Sequence, residues 1–129
     1  MTKPPPQCVL IPIPSKFANK SVRSVRFDGG DLVVEIEGPS FGRAEITFRG
    51  ALGFRVLDER ELTEFWNTYS EPNGWLWEVK SGGWLDLEAT RPHFNLLELP
   101  PREFFVVDEF CISVWSSEPP EIPGDSAAA

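Results

Sequence analysis

Two glycines at positions 29 and 30, set between stretches of alternating apolar residues, leave little choice but a β-hairpin. Val25-Arg26-Phe27 and Leu32-Val33-Val34-Glu35-Ile36 flank Asp28-Gly29-Gly30-Asp31. Paired glycines supply the positive φ that primed hairpin turns need. A two-residue loop places Phe27 opposite Leu32 and Val25 opposite Val34. All four then share one face, as the alternation independently demands.

The same grammar continues. Ala44, Ile46 and Phe48 alternate with Glu45, Thr47 and Arg49, and Gly50 and Gly53 then bend or bulge the chain. Phe54 and Val56 carry a strand on to Leu57. In the second half, Trp75, Trp77 and Val79 share one face and Leu76, Glu78 and Lys80 the other. Ser81-Gly82-Gly83 turns the chain, and residues 84–88 read as a further strand, with Leu85 and Leu87 opposite Trp84, Asp86 and Glu88. Residues 103–108 and 110–115 are the last two strands. Phe104-Phe105-Val106-Val107 is apolar on both faces, which predicts a central, covered strand.

One segment breaks the period. From Asp58 the pattern becomes helical, with Leu62, Phe65, Trp66 and Tyr69 on one stripe. Asp58 is placed to cap, and Glu61 three residues on completes a capping-box pattern. Pro72 and Gly74 stop the helix. The fold class expected is therefore α+β: a twisted antiparallel sheet of about seven or eight strands packed around a single amphipathic helix, 58–69. The helix should lie on Phe27, Leu32, Val34, Ile46, Phe48, Phe54 and Val56.

The ends differ from this body. Residues 1–20 hold five of the thirteen prolines and predict an extended arm, with residues 9–13 laid along the domain. Residues 21–117 form a single domain, and 118–129 read as a flexible tail. At 129 residues the chain can bury a core without disulfides or metals. No stretch approaches the roughly 20 apolar residues that span a bilayer, and the start is not a secretory signal, so a cytoplasmic location is expected.

Charge divides the chain. Residues 1–27 carry five bases and no acid, leaving seven bases against twenty acids in 28–129. That acidic body repels nucleic acid and attracts a basic protein. Glu35, Glu37 and Glu45 on the strands, with Glu59, Glu61 and Glu64 on the helix start, are candidates for a broad acidic partner-binding surface. Trp84 or Trp115 is a candidate exposed anchor; the alternative is that both pack under the loop spanning 90–101 or against the arm.

Catalytic chemistry finds few hooks. The only thiols are Cys8 and Cys111 and the only histidine is His93, too few and too scattered for a zinc site. Cys111 lies mid-strand with no glycine elbow to expose it. The glycine pairs lack a following helix and a Lys-Ser/Thr, so they do not cradle phosphate. No cofactor, metal or enzymatic activity is expected.

Several segments resemble a group of small bacterial proteins: Phe48-Arg49-Gly50-Ala51-Leu52-Gly53-Phe54-Arg55-Val56-Leu57-Asp58-Glu59, then Phe65-Trp66, then Gly74-Trp75-Leu76-Trp77-Glu78, then Cys111-Ile112-Ser113-Val114 and Glu118-Pro119-Pro120-Glu121-Ile122. The likeness covers about residues 22–122. Members of the group look like the immunity proteins that protect bacteria from polymorphic toxins. The resemblance implies a non-enzymatic protein that binds one cognate toxin domain, often a basic one, and occludes its active site. The alternatives are a small regulatory or scaffold subunit with another partner, or a small-ligand binder whose pocket gathers Trp75, Trp77, Glu78 and His93.

Overall fold

The computed structural model describes residues 5–62, 74–94 and 101–123. In chain order its strands are β1 (Gln7–Leu10), β2 (Ser21–Asp28), β3 (Asp31–Gly38), β4 (Gly42–Phe48), β5 (Ala51–Asp58), β6 (Leu76–Ser81), β7 (Arg102–Val106) and β8 (Phe110–Ser116). Every pairing among them is antiparallel. The hairpin of β2 and β3 has the expected register, with Val25 opposite Val34 and Phe27 opposite Leu32. Gly29 and Gly30 both sit at positive φ, where a side chain would be strained.

The strands make two sheets rather than one, in the orders β1-β6-β7-β8-β5 and β2-β3-β4. The chain crosses between them at Arg49-Gly50. There the Asp31 carboxylate accepts the Gly50 N–H at 3.0 Å and the Arg49 guanidinium at 2.7 Å. The Ala51 N–H donates to the Gly30 carbonyl at 2.8 Å. These bonds tie the corner to the first hairpin, so β5 leaves β4 and pairs with β8 instead.

The two sheets share one core. Leu32, Val34, Ile46 and Phe48 of the small sheet meet Leu76, Phe104, Val106, Ile112 and Val114 of the large one, all fully buried. Phe48 and Phe104 touch with ring centroids 5.8 Å apart. Each such side chain contributes about 1.5–3 kcal/mol by leaving water. As expected, β7 is the central strand, and Phe104 through Val107 are buried on both faces. A polar clasp joins the sheets at one end. The buried Lys20 ammonium donates to the Val107 carbonyl and to Asp108, 5.0 Å over the Trp75 ring. Trp75 Nε1 donates in turn to the Phe17 carbonyl at 2.8 Å.

Three further expectations are corrected. Residues 84–88 form a short helix, α1 (Trp84–Glu88), and not a strand. Its first N–H groups are satisfied by the Glu103 carboxylate, which accepts from Trp84 at 2.9 Å and Leu85 at 2.7 Å. Asp58 ends β5 and caps only a 3-10 turn, Glu59–Glu61, by accepting the Arg60 N–H. Leu62 then leaves helical geometry, so no continuous helix runs from 58 through 62. The rest of the expected helix, with Glu64, Phe65, Trp66 and Tyr69, lies outside the described residues. Finally, the β5 end of the expected core face is open. Phe54 and Val56 lie across from fully buried Val114 and Ile112 and so share their face, but β5 is the sheet edge, and Leu52, Phe54 and Val56 are exposed there. Phe27 is exposed too, and it stacks on Phe54 at 5.8 Å.

The ends are docked where they are described. β1 pairs with β6, so part of the arm is the edge of the large sheet. Glu121 bridges Thr47 of β4 through both backbone groups, and Pro120 is buried, so residues 118–123 are not a frayed tail. No described helix is long and apolar enough to cross a membrane.

Candidate surface for a protein partner

The acidic strand residues lie where the alternation puts them, on the outer face of the small sheet, but they are not a negative surface. Glu35 and Glu45 are cross-strand neighbours, an arrangement that like charge disfavours. Arginines resolve it. Arg23 reaches Glu35 at 3.6 Å and Glu37 at 3.5 Å, Arg43 reaches Glu37 at 4.0 Å, and Arg26 reaches Glu45 at 3.2 Å. Ser24 also donates to Glu35. The basic first stretch of the chain thus folds back as β2 and neutralises β3. Exposed pairs of this kind stabilise by about 0–1 kcal/mol each, and together they cancel the field that a basic partner would feel.

The other acidic group behaves differently. Glu59 and Glu61 sit exposed on the 3-10 turn that ends β5. The Glu59 N–H donates to the Glu109 carbonyl at 2.9 Å, which brings exposed Glu109 beside them. The one base of the turn, Arg60, is held by Asp58, through Nε at 2.8 Å and a terminal nitrogen at 3.1 Å. That guanidinium keeps the Asp58 carboxyl below its usual range. Among the described residues no salt bridge joins Glu61 or Glu109 to a base.

An apolar strip adjoins this acidic end. Leu52, Phe54 and Val56 project from one side of β5, and Phe110 lies across from Asp58. Phe110 is 56% exposed and Leu52 51%. An apolar centre with a charged rim is the anatomy of a protein interface. Glu109 and Phe110 went unnoticed in the sequence. Their only signal was an acidic pair, Asp108-Glu109, between two strongly apolar strands.

The tryptophan candidates pack inward. Trp115 is only 6% exposed and is therefore no exposed anchor. Trp84 stacks on it with centroids 4.0 Å apart, Phe94 meets Trp115 edge-on, and the Arg55 guanidinium lies 5.3 Å over the Trp84 ring. Glu103, directly opposite Trp115 on β7, is buried beneath the start of α1. Burial pushes its carboxyl up, against the opposing pull of the Leu85 and Trp84 N–H groups. Ser113 Oγ and Trp115 Nε1 are buried here without a hydrogen-bond partner among the described residues.

The thiols do not have a nucleophile's surroundings. Burial pushes Cys8 up to about 12 and also raises Cys111, whereas reactive thiols need the opposite shift. His93 is exposed on a turn at φ 67°. Of the residues expected to line a small-ligand pocket, Trp75 Nε1 donates to the Phe17 carbonyl, and Glu78 is gripped by Arg102 at 2.6 and 2.8 Å. Among the described residues no three His, Cys, Asp or Glu side chains converge as a metal site. Compared with known proteins, the chain matches no family model, no curated protein and no solved structure.

Proposed function

We propose that this chain is a non-enzymatic binding protein that captures a basic protein partner, and that the partner is a toxin domain whose active site it occludes. The observation that carries the reading is the exposed strip of Phe54, Val56 and Phe110 set against Glu59, Glu61 and Glu109. Burial of the aromatic and aliphatic side chains supplies affinity, and the exposed carboxylates steer and orient a basic surface. The resemblance to immunity proteins supplies the kind of partner, and a cytoplasmic location goes with that role.

The test is capture and neutralisation. The tagged protein is passed over lysate of its source bacterium at moderate salt, and a stoichiometric basic partner is identified and purified. Addition of the protein should silence that partner's toxicity, and the combined Glu59→Lys, Glu61→Lys, Glu109→Lys variant should fail to do so. A partner that is not toxic, or that binds this variant as well as the native protein, overturns the assignment.

A further inference from the structure

A sheet edge offers unpaired N–H and C=O groups, and proteins guard such edges with prolines, bulges, charges or cover. Three of the four edges among the described strands are guarded. β1 has four residues and is flanked by Pro5 and Pro6 on one side and Pro12 and Pro14 on the other. β4 has both backbone groups of Thr47 bonded to Glu121. β2 is bulged between Val22 and Ser24, gives its Val22 N–H to Asp108, and projects Arg23 and Arg26.

β5 is more open. It is eight residues long, has no proline or lysine, and its bulge, between Ala51 and Gly53, is confined to its start. No described strand lies on its far side, where Ala51 bonds to Gly30 at the first residue. Its apolar side chains at 52, 54 and 56 alternate in the open, and one end carries Glu59, Glu61 and Glu109.

We propose that β5 is an augmentation edge: an extended segment of the basic partner adds to the large sheet as its sixth strand. This rests on the binding reading above and states how the binding is done. Backbone hydrogen bonds along β5 give affinity, and alternate side chains of the added strand lie against Leu52, Phe54 and Val56. The charge is polar along the strand. Lysine or arginine of the segment belongs at the Asp58 end, beside the three glutamates; at the other end Arg49 is already held by Asp31 and Glu121. A second copy of this chain fits poorly. It carries a net charge of −8, and Arg49 and Arg60 flanking its own β5 are both paired within the molecule.

The probe is a displayed library of random peptides of about ten residues, enough to cover β5 at roughly 3.3 Å per residue, selected on the full-length protein. The expected winners alternate apolar residues and carry Lys or Arg at one end. Binding the best one should slow amide exchange about tenfold or more at every second residue of β5. Its affinity should fall about tenfold in the Glu59→Lys, Glu61→Lys, Glu109→Lys variant. If the winners are basic and lose affinity in that variant but leave β5 exchange unchanged, the added strand is overturned and the acidic-rim reading stands. If no basic peptide is selected, both fall. If the free protein is a dimer with β5 already protected, the occupant is a second copy and the proposal is overturned.

Discussion

The indole of Trp84 lies flat on the indole of Trp115, with ring centroids 4.0 Å apart and planes 21° from parallel. One ring comes from α1 and the other from β8, so the stack fastens the helix to the sheet. Offset aromatic stacking adds about 0.5–1.5 kcal/mol to the burial of the rings. Trp84→Ala should therefore destabilise the fold by about 2 kcal/mol in urea denaturation. Trp84→Phe should recover most of that loss. Neither change should alter partner affinity, because the stack faces away from the acidic rim. A large loss of affinity with unchanged stability would make Trp84 an anchor after all.

Glu103 gives the fold a pH dependence of unusual sign for a carboxylate. Its folded pKa is raised by burial, so the folded state holds the proton more tightly than the unfolded chain. Its contribution to stability is greatest below the unfolded value of about 4.3. That contribution is lost as pH rises through the higher folded value. Glu103→Gln keeps one acceptor for the Trp84 and Leu85 N–H groups and cannot ionise. At neutral pH it should lie within about 1 kcal/mol of the native protein, since a lost hydrogen bond is offset by relief of a buried charge. Its stability curve should be flatter than the native one over that pH window. A native-like slope in the variant would assign the titration to another group.

The parts of this fold that could be read in the sequence are those whose deciding information is local. Gly29-Gly30 sets the register of β2 and β3 by itself, and Phe104-Phe105-Val106-Val107 announces a covered strand. Residues 84–88 could not be read so: five residues with two leucines satisfy either period. What decides for helix is Glu103, which caps α1 from eighteen residues away. The openness of β5 was missed for a similar reason. Phe54 and Val56 do share a face with buried Val114 and Ile112, but β5 ends the large sheet, and which strand becomes an edge is set by distant pairings. The candidate surface was half legible. Glu59 and Glu61 are visible as an acidic turn. The neutrality of Glu35, Glu37 and Glu45 depends on which arginine each meets across the sheet, and that is a matter of register and bulges.

Asp31 should make the corner between the sheets acid-labile. Its carboxylate accepts the Gly50 N–H and the Arg49 guanidinium, and both bonds hold its pKa below the usual value. A depressed folded pKa means that the stabilisation is present above the unfolded value, about 3.9. It is lost as pH falls through the lower folded one. Asp31→Asn keeps one acceptor but removes the charge that holds Arg49, so its melting temperature should fall at neutral pH. Below the native pKa the two proteins should converge. Melting curves recorded by circular dichroism across the acid range decide the matter, and a gap that stays constant with pH would show that packing, not charge, fixes the corner.

The two acidic groups should respond oppositely to the same operation. Removing charge with Glu35→Gln, Glu37→Gln and Glu45→Gln frees Arg23, Arg26 and Arg43 on the outer face of the small sheet, in the other sheet from β5. Capture of a basic partner should slow only slightly, through the change in net charge. Removing it with Glu59→Gln, Glu61→Gln and Glu109→Gln strips the rim around Phe54, Val56 and Phe110. There the association rate should drop about tenfold at low salt, and the difference from the native protein should shrink as salt screens the charges. Stopped-flow association at several ionic strengths measures both. Equal losses from the two sets would mean that the partner reads overall charge and not this end of the sheet, and the β5 surface would have to be given up.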